Sequence, residues 1–138
     1  MKKLLLLCLT LMAIIIGPAT NAPAAPEGEK VILYFFHGDI RCTTCLAFEK
    51  FSREALAEFS KEEQDGRIEW REVNFDRPEN KHFIKDFALF DKGVVLARER
   101  GGQVIRWKNI EEVWDLYDNE AGFVAMLSKQ ISDFLKNR

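Results

Sequence analysis

A chain of 138 residues, 47% hydrophobic and 30% charged, has the size and balance of one folded globular domain. Its formal net charge of −2 supplies no basic surface, so neither nucleic acid nor an anionic membrane is an expected partner. No internal repeat or low-complexity tract divides it, and eleven phenylalanines with three tryptophans read as core rather than as a cofactor-binding box; no cofactor is expected.

The N-terminus reads as an export signal over residues 1–24. Lys2 and Lys3 form a positive start, Leu4 to Ile16 an apolar run, and Gly17-Pro18 a break before small residues. The run falls short of the roughly 20 residues that span a bilayer, so cleavage after Ala24 is expected rather than a retained anchor, and no stable membrane span should remain. Cleavage removes Cys8 with the signal and takes the formal charge from −2 to −4, because Lys2 and Lys3 leave and no acid does. Residues 25–29 then form a short tether with Pro26 and Gly28, and residues 30–138 the domain. The two remaining cysteines, Cys42 and Cys45, are three positions apart. In an oxidising compartment, periplasmic or secreted, a lone close pair favours redox exchange over a disulfide framework.

Val31 to Phe36 is an unbroken apolar and aromatic run, too short for a typical helix, as expected of a strand covered on both faces. Gly38 and Asp39 end it. Apolar or small residues then recur at helical spacing through Cys45, Phe48, Ser52, Ala55 and Phe59, so the two cysteines fall where a strand hands over to a helix. Unpaired N–H groups of a first helical turn carry partial positive charge and favour a thiolate. Cys42 is therefore expected to titrate low, and any cation near the sulfur would act in the same direction: Arg41 precedes it directly, and His37 upstream either raises the local positive potential or is a hydrogen-bonded structural residue; Cys45, one turn further in, is expected to be more buried. Such a pair can close a disulfide with little movement.

Further on, Ser60 to Gly66 is a charged run ending in an Asp65-Gly66 turn, and Arg67 to Phe75 alternates as a second strand parallel to the first. Asp76-Arg77-Pro78-Glu79 predicts a helix with Asp76 as N-cap, carrying Phe83, Ile84, Phe87 and Phe90 on one face. Val94 to Glu99 and Gln103 to Lys108 flank Gly101-Gly102 as a hairpin. A short helical piece over Ile110 to Tyr117 and a longer helix over Glu120 to Leu135 close the chain.

A strand, then Cys42-Thr43-Thr44-Cys45, then a long helix resembles the thioredoxin superfamily, and FHGDIRCTTC is similar to small exported thioredoxin-like proteins with an RCxTC site. The resemblance covers nearly all of residues 30–138. It implies an α/β fold of order β-α-β-α-β-β-α, three-layer α/β/α around a central mixed sheet. It also implies a redox disulfide between Cys42 and Cys45. Proteins of this type place a cis-proline opposite the cysteines; that position falls at or near Gly93, and the chain has no proline after Pro78. A non-proline peptide there is expected to be trans, since cis costs roughly 2.5–4 kcal/mol. The buried acid found in thioredoxin has Phe36 at the matching position, and Glu72 on the second strand could stand in for it or could simply face solvent or an arginine.

Three functions follow as expectations. The first is an exported thiol–disulfide oxidoreductase, a monomer, with Cys42 attacking and Cys45 resolving; its partners are protein thiols or disulfides and an upstream redox partner. The second is a copper- or zinc-handling module in which the same thiolates, with His37, hold a metal in transit, although two cysteines do not close a tetrahedral zinc site, and no resident metal is assigned. The third is a non-catalytic binding protein whose cysteines merely lock a turn. Arg41, His37, Glu72 and Gly93 are the candidates for supporting roles.

Overall fold

The computed structural model describes residues 28–137, and the sheet it contains is organised around its first strand. The signal segment, Cys8 and residues 25–27 of the tether lie outside the described residues. Strand β1 (Glu29–His37) pairs parallel with β2 (Ile68–Asn74) and antiparallel with β3 (Gly93–Arg100), which in turn pairs antiparallel with β4 (Gln103–Asn109). The sheet order is β2-β1-β3-β4. Glu29 belongs to β1 rather than to the tether, because its carboxylate is gripped by Arg98 and Arg100 on the neighbouring strand.

The apolar run of β1 is continuous because both of its faces are covered. Val31, Leu33 and Phe35 point into a core shared with α1 (Thr43–Ala57) and α4 (Glu120–Lys136), whose inward residues include Phe48, Phe51, Phe123, Leu127 and Ile131. Ile32, Tyr34 and Phe36 point the other way, onto Phe87 and Leu89 with Phe83 alongside. Helices on both faces of a mixed four-stranded sheet in this strand order make the thioredoxin-like three-layer α/β/α arrangement.

Two segments depart from the sequence reading. The charged run after α1 winds into a short helix, α2 (Ser60–Gln64), before Gly66 turns the chain at φ +70°. The predicted helix after Asp76 is broken into a single 3₁₀ turn at Pro78–Asn80 and a five-residue helix, α3 (His82–Asp86). Asp76 is not its N-cap: Arg77 precedes the turn, and the Asp76 carboxylate instead accepts the Asp39 backbone N–H at 2.8 Å. Ala88, at φ +50°, then redirects the chain, so Phe87 is buried while Phe90 is left 70% exposed. The hairpin turn is as expected, with Gly101 and Gly102 both at positive φ (56° and 79°). A 3₁₀ turn at Glu111–Trp114 occupies part of the predicted short helix.

Candidate active site

The loop leaving β1 is pinned to the end of β2. Besides the Asp39–Asp76 bond, the Asn74 side-chain amide donates to Asp39 Oδ1 at 2.7 Å. Gly38 permits this approach, since a Cβ there would stand 2.7 Å from Asp76 Oδ2. The pinned loop delivers Cys42 as the N-cap of α1, in extended conformation (φ −84°, ψ 170°), and its carbonyl accepts the Leu46 N–H at 3.1 Å. Cys45 lies within the first turn and is 2% exposed, whereas Cys42 is open to solvent. Their sulfurs are 3.4 Å apart, in contact as two free thiols. Closing to the roughly 2.05 Å of a disulfide requires a side-chain adjustment rather than a backbone rearrangement.

The two thiols are driven apart in acidity. The Cys42 pKa is lowered, first by the backbone N–H of Cys45 and then by the Cys45 thiol; some loss of hydration opposes this, and the Lys92 ammonium and the Thr44 N–H add to it. These N–H groups are those left unpaired by the helix start. Burial pushes the Cys45 thiol up, and the hydrogen bond it gives to Cys42 pushes the same way. An exposed acidic thiol beside a buried, less acidic one is the asymmetry that directs attack to one sulfur and resolution to the other.

The supporting residues proposed from sequence are arranged differently from one another. Arg41 donates to Glu72 Oε1 at 2.9 Å, is bound by Glu49, and lies over the Phe35 ring. The Glu72 carboxylate, opposite Phe35 in the β1–β2 register, is shared by Arg41, by His37 Nε2 at 3.2 Å and by Arg53 at 3.6 Å. It therefore faces an arginine cluster. The other nitrogen of His37, Nδ1, is 2.8 Å from the Gly38 carbonyl, so both ring nitrogens are engaged by partners other than the cysteines. Gly93 opens β3 opposite Phe36, and every peptide bond of the described residues is trans.

A residue the sequence reading passed over stands closer to the chemistry. Lys92, just before β3, lines a cleft of about 340 Å³ together with Gly38, Ile40, Cys42, Cys45, Phe75 and the acids Asp76 and Asp91. Of its lining residues Ile40 is 85% exposed. Among the described residues no group of three or more His, Cys, Asp or Glu side chains is placed to hold a metal, and no helix is long and apolar enough to cross a membrane. A larger cleft of about 560 Å³, against the opposite core, contains neither cysteine; its central Arg71 is already paired with Glu69, Glu99 and Tyr34.

Fold and site together define a thioredoxin-like α/β protein with a dithiol at the N-terminus of its first helix. No protein-family model matches the chain, and no curated protein matches it at a significant level. Among solved structures it is similar to thioredoxin f2 of Chlamydomonas reinhardtii, at 16% identity over 75% of this chain and 82% of that one, with a TM-score of 0.39. It is also similar to a structure described as a malarial protein, at 17% identity over 58% of this chain and 80% of that one, again with a TM-score of 0.39. The fold assignment stands on the strand order and pairing of the chain itself.

Proposed function

We propose that this chain is an exported thiol–disulfide oxidoreductase of the small thioredoxin-like kind that its RCxTC motif resembles. The observation that carries the reading is the solvent-facing Cys42 sulfur at a helix N-terminus, 3.4 Å from the buried sulfur of Cys45. The Cys42 thiolate attacks one sulfur of a substrate disulfide, forming a Cys42–substrate disulfide and expelling the other substrate sulfur as a thiolate that takes up a proton. Cys45 then loses its proton and attacks the Cys42 sulfur, closing the Cys42–Cys45 disulfide and releasing the second substrate thiol. Two electrons pass from the dithiol to the substrate; the reverse sequence oxidises a substrate dithiol, and a redox partner resets the pair. Export follows from the N-terminal signal, and the partners are protein thiols or disulfides.

The test is trapping. Cys45→Ala, which keeps the attacking sulfur and removes the resolving one, accumulates covalent adducts that reductant releases, whereas Cys42→Ala does not. Equal trapping by both variants, or none by either, overturns the assignment.

A further inference from the structure

The geometry points to Lys92 as a positioning residue for this site: its ammonium, seated between Asp91 and the Trp114 ring in the wall of the cysteine cleft, stabilises the Cys42 sulfur as an anion. The inference rests on the dithiol-exchange reading, in which that sulfur is the attacking group of the forward sequence and the leaving group of the reverse one.

Lys92 arrives there by topology. Gly93 pairs with Phe36 near the end of β1, so the residue before Gly93 is brought beside the loop that leads to Cys42. Backbone and side chain are then held together. The Lys92 backbone N–H donates to Asp91 Oδ1 at 2.7 Å, its Nζ donates to Asp91 Oδ2 at 3.1 Å, and the same Nζ lies 5.1 Å from the centre of the Trp114 ring. Trp114 is in turn fixed edge-on against Phe48, with centroids 5.2 Å apart. A lysine on a surface loop samples many rotamers, whereas this one is only 15% exposed and has an aromatic seat.

The charged groups around Cys42 leave Lys92 as the cation of the cleft. Arg41 and His37, the neighbours expected to favour the thiolate, are engaged by Glu49 and Glu72. Asp76 and Asp91 line the cleft and disfavour a thiolate, and Asp39 is tied to Asn74. The electrostatics agree in both directions. Lys92 acts to lower both cysteine pKa values; burial acts to lower its own, but Asp91 and the two cysteines outweigh it and the Lys92 pKa is raised. Lys92 exchanges no proton in the reaction and acts as a fixed charge. By favouring the reduced form with its thiolate, it also makes the pair a stronger oxidant.

The experiment is the pH dependence of iodoacetamide alkylation at Cys42 in the reduced full chain, read by peptide mass after short pulses. Lys92→Met is expected to move the profile to higher pH and to slow alkylation at pH 7 roughly two- to fivefold, the range a partly screened ion pair supplies. Lys92→Arg restores the profile, and Arg41→Met leaves it in place. Asp91→Asn, which removes the opposing carboxylate but keeps Lys92, moves it to lower pH. Opposite shifts from adjacent positions cannot come from general damage to the fold. An unmoved profile in Lys92→Met, a failure of arginine to restore it, or an equal effect of Arg41→Met overturns the inference. Alkylation needs no substrate disulfide, so this outcome is read independently of whether adducts are trapped.

Discussion

Phe48 offers the sharpest test of how the dithiol turn is held. It lies one helical turn past Cys45 on the same face of α1, is fully buried, and packs edge-on to Trp114 (5.2 Å) and against Phe123 of α4 (5.8 Å). Phe48→Ala removes the ring and leaves a cavity in the buried core, a change that costs about 3–5 kcal/mol. The two aromatic pairs, at about 0.5–1.5 kcal/mol each, are contained in that figure rather than added to it. At roughly 2.1 cal/mol/K per residue, a folded segment of about 110 residues has an unfolding entropy near ~230 cal/mol/K, so Tm should fall by about 13–22 °C. Thermal unfolding of the reduced protein by circular dichroism measures this. Leu46→Ala is the control: Leu46 is two residues away on the same helix but 54% exposed, and its loss should stay within about 0.5 kcal/mol. A Tm loss below ~5 °C for Phe48→Ala, or one no larger than that of the control, would refute the claim that this ring docks α1.

Three other outcomes follow from the same structure. Glu99 is 8% exposed in its side chain and receives two N–H groups of Arg71, at 2.6 and 3.2 Å; Arg71→Met strands that carboxylate and should cost about 3–5 kcal/mol in urea unfolding, while Arg71→Met with Glu99→Leu recovers most of it. If the double variant is no more stable than the single one, the pair is not desolvated as described. Gly102→Ala forces a side chain into φ +79° with nothing within 4 Å to compensate, and should cost about 1–2 kcal/mol. Gly93→Ala should stay within about 0.5 kcal/mol, since its Cβ would meet Asn109 Oδ1 only at 3.8 Å and no positive φ is involved; equal losses at the two glycines would contradict this. Finally, the Cys42 pKa is lowered in the folded chain, so its contribution to the stability of the reduced protein is lost as pH falls through the folded value and is complete above the ordinary thiol pKa of about 8.5. The stability difference between reduced wild type and Cys42→Ser should therefore rise with pH over that window, and a flat or falling difference counts against the thiolate.

Much of the fold was legible because its local signals agree with its tertiary use. The unbroken run of β1 is apolar since two cores claim it, and Gly101-Gly102 marks a turn that needs two positive φ angles. The helix after Asp76 was misread because a capping carboxylate looks the same in sequence whether it serves the next helix or a loop 37 residues earlier; here Asp39 takes it. Glu72 falls on the second strand as expected, but sequence spacing does not say which charges will meet. Arg41, His37 and Arg53 converge on the Glu72 carboxylate rather than on Cys42. Lys92 gave no local signal, because a lysine between Asp91 and Gly93 reads as a solvated turn. Its proximity to the position opposite the cysteines, already assigned to Gly93, was the clue that could have found it.

A redox titration of the Cys42–Cys45 pair against defined thiol–disulfide buffers, with the disulfide counted by mass, bears most directly on whether this dithiol exchanges electrons. Reversible two-electron behaviour with a potential between about −120 and −270 mV, where dithiol exchange proteins lie, is the expected result. A pair that forms no disulfide, or one that stays oxidised below about −300 mV as structural bridges do, would contradict it.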